Sequence, residues 1–410
     1  MVVAIVGNDL HVAQTPSGGY LKPYAWKSFS QWWGLFRDMR LLQTVCHFSE
    51  PPHGWLRVPD FIESRELVSY DRPLGFLHRR KLVGHNARVL LRDVKLLYVR
   101  HPSYESYYVS RVARKLGIPI VTSLHGDWHE GVLSQTNTSF LRKITRYYRA
   151  NKARRIYDDL VAYSLAVITI GPALAEKYVP RDKPVLVTSN YAMEEGEFAL
   201  REDFTLKTPP RILFVGVLQE RKGLSYLLSA LQSLKASGRD FQLVVVGDDC
   251  EQGAFRRQAE VLGLADRIRF AGVLPHGPRL FEEYRNADVL VLPSIAAEGL
   301  PRVVQEAMAL GCPVIATDIG GTRWQLRDGA GILVPPRDSH ALENALVQVL
   351  DDSVLRQSLS ENGMRTAREH TFEKQREAIA AFVRAHVPAD LFNHANRQQA
   401  IGNKERLDAE

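Results

Sequence analysis

Short apolar runs recur along the chain with room for about one helix between neighbours, and this alternation constrains the fold more than any other feature. Val2 to Gly7, Leu96 to Arg100, Ile118 to Leu124, Val167 to Gly171 and Val185 to Ser189 are such runs in the first half. Arg211 to Gly216, Phe241 to Gly247, Ile268 to Leu274, Asn286 to Pro293, Val314 to Ala316 and Ile332 to Pro336 follow in the second. Continuous apolar strands of this kind are buried on both faces, as in parallel sheets. Their alternation with helices means βαβ units and, here, two doubly wound parallel sheets of the α/β class. A length of 410 residues is too great for one ordinary core. The polar stretch from Asn190 to Pro210 reads as a linker, which divides the chain into 1–200, 201–387 and a polar tail, 388–410.

Residues 21–90 are the least legible. Ser30 to Phe36 reads as an amphipathic helix and Val45 to Phe48 as the second strand. Pro51 to Gly54 and Asp71 to Pro73 are turns. His78-Arg79-Arg80-Lys81 is a basic run whose ordinary meaning is a solvated face.

Hydrophobic residues make up 45% of the chain and charged residues 24%, as in soluble globular proteins. No apolar run is long enough to span a bilayer, and Met1 to Gly7 reads as a strand rather than a leader. Cys46, Cys250 and Cys312 are far apart and outside any metal spacing, so free thiols in a reducing cytoplasm are expected. Residues 1–205 hold 28 of the 53 Lys and Arg but only 20 of the 46 Asp and Glu, so the positive excess lies in the first half. Arg142, Lys143, Arg146 and Arg149 open a segment, ending at Arg155, with seven cations, interleaved Tyr147 and Tyr148, and no acid. Such a helix suits an anionic membrane surface or a lipid-diphosphate; its bland alternative is a solvated helix covering the sheet. No nucleic-acid motif accompanies it.

The chemistry concentrates between Glu298 and Gly321. The loop Glu298-Gly299-Leu300-Pro301 delivers the start of a helix, where free N–H groups and the dipole favour a phosphate. Pro301 suits the first turn, Val303, Val304, Ala307, Met308 and Leu310 form one apolar face, and Gly311 stops the helix. Glu298 and Glu306 are eight positions apart and could reach opposite ends of one ligand; carboxylates accept well from sugar hydroxyls. Arg221 and Lys222 sit at another helix start and could offset the charge of a leaving diphosphate. His125 follows the strand ending at Leu124, at the carboxyl end where open α/β sheets bind ligands; a lone histidine is otherwise structural. Gly18-Gly19 would let backbone approach a ligand, or form an ordinary turn.

The stretch from Glu298 to Gly321, with its paired Glu, glycine loops and Gly311-Cys312-Pro313, resembles the E-x7-E signature of the retaining GT-B glycosyltransferases of family 4. The loop from Gly216 to Gly223 is similar to that family's phosphate loop, and the resemblance weakens before residue 92. It implies two Rossmann-like domains facing a central cleft, with the last helix returning to the first domain. It implies a nucleotide-diphosphate sugar as donor, UDP by frequency in the group, and a glycan or lipid-diphosphate acceptor in cell-surface polysaccharide synthesis. In that picture Glu306 binds ribose. Lys222, Arg221 and the backbone of Gly299, Leu300 and Pro301 hold the diphosphate, and Glu298 holds the donor sugar. Gly216 and Gly272 approach the nucleotide through backbone, while Gly18, Gly19 and His125 close on it from the first domain. Asp127 touches the acceptor or orients His125, and Arg142, Lys143, Arg146 and Arg149 form the acceptor or membrane surface. His125, Lys222 and Glu298 are the catalytic candidates. Neither metal nor cofactor is expected, since cations and a helix dipole take that role. The chain would be cytoplasmic, peripheral on the inner membrane face. Two departures stand out: Val217 replaces the family's Arg, and Trp324 replaces its Glu. The former leaves open a non-catalytic donor-binding subunit, and a GT-B epimerase or phosphorylase is the enzymatic alternative. A dinucleotide-binding dehydrogenase is disfavoured, since no Gly-x-Gly-x-x-Gly with a downstream acid follows the first strand.

Overall fold

The structure is a computed structural model. It describes residues 2–22, 32, 35–36, 38–52, 55–59, 62–69, 76–133, 140–189, 193–251, 253–296 and 298–389. The turns expected at His53-Gly54 and Asp71-Pro73, most of the helix expected over 30–36, the linker start 190–192 and the tail from 390 lie outside them. The fold divides into two compact units, one of residues 1–192 with 375–410 and one of 193–374.

The first unit runs β1 (Val2–Thr15), β2 (Gly18–Leu21), β3 (Asp38–His47), β4 (Leu56–Arg57), β5 (Ile62–Ser69), α1 (Phe76–Leu90), β6 (Val94–His101), α2 (Tyr104–Lys115), β7 (Ile120–Leu124), α3 (Trp128–Leu133), α4 (Phe140–Tyr163), β8 (Ala166–Ile170), α5 (Pro172–Tyr178) and β9 (Val185–Thr188). Its parallel strands lie in the order β5-β3-β1-β6-β7-β8-β9. β1 is twice the expected length. The polar Asn8 and Asp9 interrupt its apolar pattern and fall in a register shift: pairing with β3 runs to Val6 and resumes at His11. Beyond that shift β1 pairs antiparallel with β2, and β2 with β4, an addition that a βαβ reading does not foresee. Trp32, Leu35 and Phe36 are buried beside Val3 and Ile5.

The second unit runs β10 (Arg211–Val215), α6 (Leu224–Ala236), β11 (Gln242–Val246), α7 (Ala254–Val261), β12 (Ile268–Gly272), α8 (Pro278–Asn286), β13 (Val289–Leu292), α9 (Arg302–Ala309), β14 (Val314–Thr317), α10 (Thr322–Gln325), β15 (Ile332–Val334), α11 (Ser339–Asp351) and α12 (Ser353–Arg368). All six strands are parallel, in the order β12-β11-β10-β13-β14-β15. That is the doubly wound order in which the winding reverses between the first and fourth strands. Leu224, Leu227, Leu228, Leu231 and Leu234 repeat at helical spacing and seat α6 on one sheet face; Val304, Ala307 and Met308 seat α9 on the other. A last helix, α13 (Phe372–His386), packs Ile379 and Val383 against Val3 and Ile5 of the first unit. No helix among the described residues is long and apolar enough to cross a membrane.

Candidate functional site

In an open α/β sheet the crevice for a ligand lies beyond the carboxyl ends of the strands, where the winding reverses. In the second unit this is the space above β10 and β13. The loop after β10 carries Gly216 to Gly223 and the loop after β13 carries Pro293 to Pro301. The loops are stitched together by a backbone bond from Ile295 N to Arg221 O, 2.8 Å. Gly223 sits under Pro293 with φ of 71°, and a Cβ there would fall 1.9 Å from the Pro293 oxygen, so only glycine permits this approach. The Gly320-Gly321 loop after β14 closes from the other side. A Cβ on Gly320 would lie 1.8 Å from the Glu298 carbonyl oxygen.

Three donors converge on one oxygen of Glu298. Lys222 Nζ and Ser294 Oγ each stand 2.6 Å from Oε1, and Arg221 reaches the same atom at 3.9 Å. No donor reaches Oε2 among the described residues. Lys222 and Glu298 keep 14% and 9% of their side-chain surface exposed, so the pair is shielded yet open to a ligand. Arg221 is far more exposed and rests its Nε on Gln219 Oε1. Val217 is also exposed, on the same loop.

Glu306 lies deeper. Its Oε2 accepts from Tyr284 Oη at 2.8 Å, while Oε1 faces His276 Nδ1 at 3.3 Å and Arg302 at 3.7 Å. Burial alone would raise its carboxyl, but His276, Arg302 and Tyr284 outweigh that and hold it below the ordinary carboxylate value. Both oxygens are therefore engaged already, and a ribose would have to share them. The Tyr284 phenol is pushed up by burial and by the Glu306 charge, which fixes it as the donor.

The remaining predicted positions fall as follows. Pro301 precedes the first turn of α9 rather than lying inside it, because its ψ of 119° is extended. Leu300 is buried and Gly299 exposed; Gly299 O accepts from Gly321 N at 2.9 Å. Gly216 donates to Val246 O, and Gly272 O accepts from Gly247 N, so these two glycines tie neighbouring strand ends together. Trp324 stacks near His370 with the Arg327 guanidinium over its ring, a packing role.

In the first unit, His125 stands at the end of β7 and donates its backbone N–H to His101 O, at the end of β6. Its Nε2 lies 2.9 Å from Ser123 Oγ and its Nδ1 3.4 Å from the Arg100 guanidinium. A guanidinium only donates, so Nδ1 accepts. Gly18 and Gly19 open β2 and pair with Thr15 and Gln14 in a hairpin. Asp127 does not orient His125 among the described residues. It caps α3 through Glu130 N at 2.9 Å and binds Lys177 Nζ at 2.8 Å and Tyr178 Oη at 2.7 Å. Burial opposes its ionisation, yet these partners hold its carboxyl below the usual range. Tyr157 closes the same turn, accepting from Trp128 N and donating to Gly126 O.

On α4, Lys143 and Arg149 are exposed and Arg146 half-buried; the Arg142 side chain lies outside the described residues. Ile144, Tyr147 and Tyr148 face solvent with 53%, 64% and 70% of their surface exposed. The inward face of the helix begins only at Ala150 and continues through Ala153, Ile156 and Tyr157.

Sequence reasoning missed Ser294, Tyr284, His276 and Arg100. Ser294 and Arg100 could have been found from their places at the carboxyl ends of β13 and β6. Tyr284 and His276 come from α8 and the turn before it, and carry no local signal.

Comparisons with known proteins show what the chain as a whole is similar to. Residues 197–366 match the family model described as glycosyl transferases group 1. A phosphatidyl-myo-inositol mannosyltransferase from Mycolicibacterium smegmatis is 37% identical over 266 residues, covering 64% of each chain. Sucrose-phosphate synthase from Thermosynechococcus elongatus shares the fold with a TM-score of 0.72 at 20% identity, over 94% of this chain and 98% of that one. A second solved structure, HepE from Anabaena in complex with UDP, aligns with a TM-score of 0.66 at 18% identity, over 94% and 99%. The chain spans 39% to 68% of the length of eight curated relatives. Residues 197–366, which lie within the second unit, therefore carry a domain similar to the glycosyl transferases of group 1.

Proposed function

We propose that the protein transfers a sugar, with retention of anomeric configuration, from a nucleotide-diphosphate sugar to a glycan or lipid-linked acceptor in cell-surface polysaccharide synthesis. The observation that carries this reading is the convergence of Lys222, Ser294 and Arg221 on a single oxygen of Glu298 at the reversal point of the second sheet. The ammonium of Lys222 would leave Glu298 for the donor diphosphate, and the freed carboxylate would accept from donor-sugar hydroxyls. Arg221 adds a second cation from a position different from the family's, which answers the Val217 departure. A positioned cation opposite a departing diphosphate stabilises charge that grows only in the transition state. The leaving phosphate then takes the acceptor proton, and attack on the face it vacates retains the configuration.

UDP is the proposed nucleotide, supported by the UDP complex of the similar HepE fold. The reading is metal-free and predicts turnover unchanged by EDTA. The outward Tyr147, Tyr148 and neighbouring cations of α4 support a cytoplasmic protein held peripherally on an anionic inner membrane face as part of this reading. The test is incubation with labelled nucleotide sugars and candidate acceptors, followed by assignment of the product anomer by NMR. Label in an acceptor with the donor's anomeric configuration is the expected result. An inverted product would end the retaining mechanism, and nucleotide binding without transfer or release of sugar would make the chain a donor-binding subunit.

A further inference from the structure

Away from β10 and β13, the first unit holds a second concave site. A groove of about 370 Å³ runs between α1 and α2, floored by Tyr108, Val112 and Gly84. It falls within the range of about 300–1,000 Å³ in which small-ligand sites occur. Arg80, Lys81 and Arg88 line it from α1, and Arg111 and Lys115 from α2. None of these five cations forms an ion pair among the described residues. Their sequence neighbours behave otherwise: Arg79 pairs with Glu105 at 2.8 Å and Arg114 lies 3.8 Å from Asp159. The acids at hand serve the outer arginines and none lines the groove.

Two of the groove's guanidiniums are held by rings instead. Arg80 lies over Tyr108 at 5.2 Å and Arg111 over Tyr107 at 5.8 Å. A ring face restrains a guanidinium while leaving its charge whole and its N–H edge available. Five like charges in one recess repel each other, and that repulsion is relieved by a ligand with several negative charges close together. Planar forks fixed in advance match phosphate oxygens in pairs.

We propose that the groove between α1 and α2 binds a diphosphate or longer polyphosphate group, separately from the Lys222–Glu298 site. The group could reach it free in solution or on a lipid headgroup, and the chemistry of recognition is the same.

Calorimetric titration of the full chain with inorganic pyrophosphate and tripolyphosphate tests this, run on wild type and on Lys222→Ala to set the second unit's site aside. Two independent groove variants are compared. Arg88→Gln/Arg111→Gln removes two exposed cations. Gly84→Glu places a carboxylate where a Cβ meets nothing within 4 Å, and Gly84→Ala is its control. Polyphosphate binding that persists in Lys222→Ala and in Gly84→Ala, but weakens about tenfold or more in both groove variants, is expected for lost charge-assisted contacts. A parallel arm uses phosphatidylcholine vesicles with and without diacylglycerol diphosphate. Groove-dependent binding in solution alone identifies a free polyphosphate, and groove-dependent binding to the diphosphate vesicles identifies a headgroup. Binding in neither arm, or binding that Gly84→Glu and the double variant leave unchanged, overturns the proposal.

Discussion

Glu298 and Asp127 each stand in a loop just before a helix, one in each unit, and their surroundings treat them differently. Asp127 meets fixed donors at both oxygens: a backbone N–H and Tyr178 at Oδ1, and Lys177 at Oδ2. Glu298 meets three side chains at Oε1 alone, and two of these are cations that a phosphate could draw away. Asp127 therefore has both oxygens occupied, and its backbone and phenol donors carry no charge that an anion could draw away. Glu298 keeps one oxygen open and is held by cations at the other. Glu306 falls between, with Tyr284 fixed beneath it and His276 and Arg302 at its other oxygen.

The contrast can be broken at either carboxylate. Replacing Lys222 by Ala should cut turnover roughly a hundredfold or more, as loss of one charge-stabilising donor does, with the melting temperature little changed. Replacing Asp127 by Ala should do the opposite. It removes a helix cap and strands Lys177 and Tyr178, at a cost of about 2 kcal/mol in stability, read by denaturant unfolding, with kcat/KM kept in the molecules that remain folded. A catalytic collapse in Asp127→Ala without a loss of stability would contradict the assignment.

A dependence on pH is expected as well. His101 is buried and its pKa is pushed down by desolvation to about 3. Above its ordinary value near 6.5 the ring is neutral both folded and unfolded. As pH falls below that, the unfolded chain takes a proton that the folded chain refuses until about 3. Stability should therefore drop by roughly 1.4 kcal/mol for each pH unit across this window. His101→Asn should flatten that slope. An unchanged slope in the variant would assign the acid sensitivity to other groups. Asp127 acts lower on the scale: its stabilisation is present above the ordinary carboxylate value and is lost as pH falls through its depressed one.

The second unit was legible because its site is written in consecutive residues. Gly223, Gly320 and Gly321 mark places where loops touch the backbone of Pro293, Glu298 and Gly299, and such contacts tolerate only glycine. Helix starts, apolar strands and these glycines together fix where Lys222 and Glu298 go. The partners of Glu306 were not legible, since His276 and Tyr284 arrive from another helix and the turn before it, and nothing in their local pattern announces the contact. In the first unit the polar Asn8 and Asp9 masked the continuation of β1, so Gly18 and Gly19 read as a ligand loop when they open a hairpin strand. His125 was placed correctly at a strand end, but its ties to Ser123 and Arg100 depend on the neighbouring strand β6. On α4 the spacing of Ile144, Tyr147 and Tyr148 gave no way to choose between core and surface, and they face solvent.

The most direct test of the central claim is thermal denaturation with UDP, GDP, ADP and TDP, on wild type and on Lys222→Ala. The account predicts that one nucleotide stabilises the wild type, by about 2.7 kcal/mol at a hundred times its dissociation constant, and that Lys222→Ala loses the effect. No stabilisation by any of the four, or stabilisation that survives in Lys222→Ala, would contradict the placement of the donor diphosphate at Lys222 and Glu298.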